Sequence, residues 1–407
     1  MAFRTGTIAF ARFRLEGNPP TSVTDEILET LRENQLRPNT IGAPPEVEYG
    51  WIGGRHVFDD RFEPDDVVFG DRLLIGMRID TNKVPAELRR AYRAIAEQEL
   101  ATDSSTGMPS RSEKRAAREA AEDRCRDELA AGRFRSSKMV PVLWDLPTRT
   151  VLAPAVTDAS VNALGQLFDM CFEARLEPSS AGAIASSWAG ARGASSSYED
   201  VRPSMLTEPP ALATSEPGRD RRVPVIPWSQ LGPQPKDFLG NEFLLWLWWM
   251  VDTGTGMIET EHGVVAITLD RMLELQCAWD VTGRVQVTAD RATTLRESRE
   301  AIRLGKWPRK VGFVLADDDA PIEGALQADR WVISAVRVQK SDDARTPRDV
   351  LDHRVEQTIA VDRALQALYT RFLLERMDQR WTGVRERLSG WVAQRETASK
   401  VGVAVSV

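Results

Sequence analysis

Two short runs in this 407-residue chain gather cations in a pattern suited to holding phosphate. GRFRSSK, residues 132–138, carries Arg133, Arg135 and Lys138 with no acid among them, and Ser136 and Ser137 add hydroxyls that can donate to phosphate oxygens. RLGKWPRK, residues 303–310, places Lys306, Arg309 and Lys310 around Trp307. Arginine's planar fork grips two phosphate oxygens at once, and lysine supplies a point charge. A third run, RSEKRAAR at 111–118, is as cationic, but acids nearby dilute its field. Each run also fits a solvated loop or helix face, and Trp307 suits strand packing as well as stacking. The first run joins a predicted helix to a predicted strand, so it is expected as a loop with backbone amides free to donate.

Other chemistry has little to build on. No phosphate-cradling G-x-x-x-x-G-K-[ST], dinucleotide G-x-G-x-x-G, H-E-x-x-H or G-x-S-x-G occurs. His56, His262 and His353 lie in different regions without ligand spacing. DDDA at 317–320 reads as a metal-binding cluster or, more simply, as a polar hairpin turn. A restriction-type nuclease needs Pro-Asp followed by D/E-x-K, and Pro64-Asp65 has no such partner close behind it. Cys125, Cys171 and Cys277 are widely spaced and odd in number, which argues against a disulfide framework or a zinc site and for a reducing, cytoplasmic setting. No catalytic residue, metal or cofactor is expected.

The net charge is −7, so a polyanion site must be a local patch rather than the bulk field. FLLWLWWMV, residues 243–251, is the most apolar run. It is about half the ~20 residues of a spanning helix, and it lacks the interleaved cations of a base-stacking platform. Core or an obligate interface is the reading that remains, since each buried Leu or aromatic contributes about 1.5–3 kcal/mol.

These runs sit within alternating elements. Strands are expected at 7–15 and 71–79, and a helix at 23–34. A Pro85-started helix presents Leu88, Tyr92, Ile95 and Leu100, and a Ser110/Glu113 capping box opens a helix to about 131 with a thin seam of Ala117, Ala121, Cys125 and Leu129. A hairpin MVPVLWDL–TVLAPAV and a helix at 158–173 complete an α+β region over 1–175. Residues 176–235, rich in Gly, Ser, Ala and Pro, read as a low-complexity linker or insertion. A second α+β region spans 236–345, a helical extension 346–395, and a frayed tail 396–407. The expected fold class is α+β, with mixed antiparallel sheets and flanking helices.

The order over 73–172, VPAELRRAYRAIAEQEL, then SRSEKRAAREAAEDRCRDELAAGRF, then RSSKMVPVLWDLPTRTVLAPA, resembles the recombination-associated protein RdgC family. YGWIGG at 49–54 matches that family's Gly-Trp element, and FLGNEFLLWLWWMVD resembles a segment of its longer members. The resemblance covers roughly 1–175 and is thinner over 236–340. It implies an α+β homodimer closed into a ring, nucleoid-associated, that binds duplex DNA without sequence preference through a positive central hole and limits RecA access. It marks Arg133, Arg135, Ser136, Ser137 and Lys138 as phosphate contacts, with Lys306, Arg309 and Lys310 second. Phe134 becomes apolar support for that loop, or part of the dimer contact. Charge reversal at Arg133 and Arg135 is then expected to weaken DNA binding and leave the fold intact. Two other functions remain open: a DNA-processing nuclease, and a protein-interaction component of a mobile-element or defence system that works through the insertion or C-terminal helices.

Overall fold

The computed structural model describes residues 3–37, 44–101, 110–214, 223–230, 232–316, 320–339 and 344–394. Residues 317–319 of the DDDA run and the tail at 396–407 lie outside the described residues. Two compact units divide the chain: Leu15–Leu176, here the N-terminal unit, and Met1–Arg14 with Glu177–Val407, the C-terminal unit. The α+β expectation holds, with antiparallel pairing throughout both units' named strands. The expected boundary at 175/176 lies one residue from the division at Leu176/Glu177, while β1 (Ile8–Gly17) contributes its residues up to Arg14 to the C-terminal unit.

The N-terminal unit runs α1 (Asp25–Glu33), β2 (Val47–Ile52), α2 (Pro64–Val67), β3 (Arg72–Asn82), α3 (Ala86–Ala101), α4 (Arg111–Ala130), β4 (Arg135–Asp145), β5 (Thr150–Ala153) and α5 (Asp158–Phe172). Its sheet is ordered β2-β3-β4-β5. Successive strand residues point to opposite faces, so Trp51, Val140, Val142 and Trp144 share one face. α5 covers that face: Phe168 meets the Trp51 and Trp144 rings edge-on at 5.3 and 5.2 Å. The Ser110/Glu113 capping box forms as read from the sequence. α4 buries only Ala117, Ala121 and Cys125, and α3 buries no residue, as befits a helical hairpin with a narrow seam.

β6 (Ala174–Pro178) leads into the C-terminal unit. There follow α6 (Ala181–Ala191), α7 (Ser195–Asp200), α8 (Ala211–Thr214), α9 (Pro227–Gln230), α10 (Phe238–Thr253), β7 (Met257–Thr260), β8 (Gly263–Cys277) and β9 (Arg284–Ala289). α11 (Arg296–Arg303), β10 (Lys306–Leu315), β11 (Ile322–Gln327), β12 (Val332–Arg337), α12 (Pro347–Arg376) and α13 (Trp381–Ala393) complete it. The sheet order is β12-β11-β10-β8-β7, with β9 also on β8 and Ile8–Ala11 of β1 on β12.

The Trp-rich run lies in α10, whose residues from Phe238 to Trp248 are all buried. Phe243 is packed by Trp246, Trp331, Tyr369 and Phe372, with ring centroids 5.2–6.3 Å away. It is core. Among the described residues, no helix is long and apolar enough to cross a membrane.

Two sequence expectations are corrected here. Within the 176–235 stretch, expected as a linker or insertion with little core, α6 is packed, with Ala181, Gly182, Ala185 and Ala189 buried. Its small side chains let backbones close in; a β-carbon on Gly182 would come within 2.9 Å of Asp237 Oδ1. Low complexity here means close packing rather than absence of core. Nor is 346–395 an extension, since Tyr369, Phe372 and Leu373 of α12 are completely buried, and Tyr369 Oη donates to the Ala181 carbonyl at 2.9 Å.

A buried carboxylate joins these pieces. Asp237 accepts from the Gly182 and Gln234 amides at 2.9 and 3.1 Å, yet burial pushes its carboxyl up to about 6 against those hydrogen bonds. The folded state therefore holds this proton more tightly than the unfolded chain. Its contribution is full below about pH 4, is lost as pH rises through about 6, and is flat above that. Against Asp237→Asn, wild-type unfolding free energy should fall by roughly 3 kcal/mol between pH 4 and pH 7. Paired urea titrations measure this, and a pH-independent difference would contradict it.

Candidate nucleic-acid interface

The basic run GRFRSSK is only partly a loop. Gly132, at φ +66°, turns the chain out of α4, and Arg135–Lys138 then form the head of β4 in register with β3: Asn82↔Arg135, Thr81↔Ser136, Asp80↔Ser137 and Ile79↔Lys138. A ladder therefore replaces the expected set of free amides. Strand alternation also splits the run, with Arg135 and Ser137 on one face and Ser136 and Lys138 on the other.

On the Arg135 face a charged network fills the sheet surface. Arg78 forks onto Asp80 at 2.7 and 2.6 Å and reaches Ser137 Oγ at 3.3 Å. Arg135 donates to Asp80 at 2.9 and 3.1 Å and to Glu48 at 3.0 Å. Glu48, Asp80 and Ser137 lie in one row across β2, β3 and β4, which explains the meeting. Burial alone would raise the Asp80 carboxyl, but the bonds from Arg78, Ser137 and Arg135 outweigh it and hold the group below the usual range. Two guanidinium groups thus face two carboxylates, and Arg135 is committed to holding the sheet. Charge reversal at Arg135 would therefore damage the fold, contrary to the sequence expectation.

The other face, which α5 covers at Trp51 and Trp144, is exposed at this end of β4. Ser136 and Lys138 are exposed, and Arg133, in the turn, has 69% of its side chain exposed, with Glu128 3.6 Å away. Glu128 is largely buried, but at that length the guanidinium itself stays mostly in solvent. Phe134 is half-buried between them in sequence.

RLGKWPRK is built differently from what its composition suggests. Lys306 is 9% exposed and donates to the Gly283 carbonyl. Trp307 is completely buried and donates to Thr207 Oγ1 at 3.2 Å, so packing is its role. Arg309 pairs with Asp329 at 2.8 Å and lies over the Trp228 ring at 5.2 Å. Arg303, Arg309 and Lys310 are half-buried, and Leu304 is exposed. This run is wall, and it belongs to the C-terminal unit while GRFRSSK belongs to the N-terminal one. On α4, Arg115 and Arg118 pair with Glu119 and Glu122 one turn on, at 3.1 and 3.0 Å, each pair worth a few tenths of a kcal/mol.

Sequence reading missed the network partners Glu48, Arg78 and Asp80. The signal was present in RIDTN, where Arg78 and Asp80 stand two apart in an otherwise apolar strand and so share a face.

A cavity of about 120 Å³ in the C-terminal unit is lined by Met272, Phe313, Glu323 and Arg337 among others. Arg271 and Arg337 both turn to Glu323, and with Asp270 also in the lining its formal charges sum to zero. Among the described residues, no group of three or more His, Cys, Asp or Glu is placed to hold a metal ion. No family model matches the chain, and no curated protein matches it either.

Proposed function

We propose that this chain binds double-stranded DNA without reading its sequence, through the exposed Arg133, Ser136 and Lys138 at the head of β4. One observation carries the reading: these groups stay open to solvent while the acids of the same sheet are neutralised on its other face by Arg78 and Arg135. Cations and hydroxyls of this kind contact phosphates and carry no base information, so binding is indifferent to sequence. Arg135 and Ser137 support the site from beneath, and Lys306 and Arg309 are left out of it.

The resemblance to the RdgC family extends the proposal: a homodimer on nucleoid DNA that limits recombinase access by occupying the duplex, without cutting it. The test is competition between two unrelated duplexes of equal length, with and without magnesium. The proposal expects equal competition and intact DNA. Divalent-metal-dependent shortening would instead favour a nuclease, and a strong preference for one duplex would remove the phosphate-only reading.

A further inference from the structure

The most exposed large apolar side chain among the described residues is Phe58, at 66%. It stands at the tip of a tightly built loop between β2 and α2. Gly53 N donates to the Asp59 carbonyl at 2.8 Å and Asp59 N to the His56 carbonyl at 3.0 Å. Arg55 binds the buried Asp59 carboxylate through its amide and both arms of its side chain, at 2.9–3.1 Å. At the loop's base a β-carbon on Gly53 would lie 2.0 Å from the Arg61 carbonyl, and one on Gly54 2.8 Å from the Ile75 backbone, so the loop is pressed onto β3 without slack. A ring held this way loses little freedom on binding a partner.

Beneath the ring lies the Arg78 guanidinium, 4.9 Å from its centroid. Arg78 is held in place by Asp80 and Ser137 through its Nε and Nη2. It serves as a fixed floor that leaves the ring's other face to solvent. The loop carries Asp60 and Glu63 as exposed acids beside the exposed Arg61, and Asp65 follows in α2; the acids repel phosphates. Acids outnumber the one exposed arginine there, so what it chiefly offers a nucleic acid is the π-face.

We propose that Phe58 is a stacking platform for an unpaired nucleobase, so that the protein engages single strands, or bases drawn out of a duplex, as well as the duplex backbone. This rests on the nucleic-acid reading of the β4 head and assigns it a second contact of different chemistry. The loop and the β4 head belong to one unit, with the ring over the Arg78–Ser137 face of the sheet and Ser136 and Lys138 on its opposite face. Stacking on an aromatic is tolerant of base identity, so the contact keeps the protein sequence-blind.

The probe is a thymidine oligomer containing one 2-aminopurine, titrated with the full chain and with Phe58→Ala, beside a fully paired duplex and at several salt concentrations. Removing one stacking partner is expected to weaken single-strand binding roughly ten- to hundredfold. The 2-aminopurine quench should be lost, while the slope of affinity against salt stays unchanged because no phosphate contact goes. Phe58→Trp should restore binding and quenching. An exposed side chain is removable without unfolding, and an unchanged melting temperature checks that. If Phe58→Ala binds the oligomer as wild type does, the stacking role is wrong while the β4 head survives. If the wild-type chain binds neither oligomer nor duplex at low salt, both fall.

Discussion

Replacing Arg376 with methionine is expected to destabilise the C-terminal unit by about 3–5 kcal/mol, read as a fall in the urea midpoint at constant slope. Arg376 reaches from α12 to the completely buried Glu242 of α10 at 2.6 Å, donates to the Arg202 carbonyl at 2.6 Å, and lies over Trp381 at 4.9 Å. Glu242 also accepts from the Ser204 amide at 2.6 Å. One ion pair therefore holds α10, α12 and the 202–204 strap together. Removing the cation strands a carboxylate in the core, where an unpaired charge costs several kcal/mol. Arg376→Met combined with Glu242→Gln should recover much of the loss, since the amide keeps the acceptor for Ser204 without the charge. A single-variant loss below about 1 kcal/mol would contradict this account of the core.

Neutralising the open cations should act on binding and not on stability. Arg133→Gln with Lys138→Gln is expected to weaken duplex affinity on the order of tenfold at moderate salt and to reduce the salt slope by about two, one for each lost phosphate contact. Both side chains are exposed, so unfolding should move by no more than about 0.5 kcal/mol. Arg135→Glu makes the contrasting case. It sets a third carboxylate against Asp80 and Glu48, 2.9–3.1 Å from where the guanidinium now sits. It should lower stability by about 2 kcal/mol or more, the partial exposure of Arg135 moderating the loss. An Arg135→Glu protein that is fully stable but deficient in DNA binding would return Arg135 to the interface. Anisotropy titration beside urea unfolding separates these outcomes.

Much of the fold was readable where a local rule acts alone. The Ser110/Glu113 box is four residues of capping chemistry, and it formed as expected. Length and the absence of cations narrow the Trp-rich run to core or an obligate interface, and the rings packed around Phe243 place it in the core. What failed depended on distant residues. The Ala- and Gly-rich stretch of α6 has almost no apolar signal, and only the neighbours it approaches, Asp237 and Tyr369, reveal it as core. Composition likewise grouped Arg133, Arg135 and Lys138 together, as it did Lys306, Arg309 and Lys310. Strand alternation then separated Arg135 from its neighbours, and Asp329 and Gly283, far along the chain, claimed Arg309 and Lys306. A count of cations says nothing about which of them already have partners. Phe58 escaped notice because a lone aromatic in a polar loop has no periodicity to mark it.

The central claim is a phosphate-based, sequence-blind grip on DNA at the head of β4. Its most direct measurement is a fluorescence-anisotropy titration of the full chain on two unrelated duplexes over a range of salt concentrations. The account predicts superimposable curves whose affinity falls with salt at a logarithmic slope of about −2 or steeper, as two or more neutralised phosphates require. No binding at low salt, or binding that ignores salt, would contradict it.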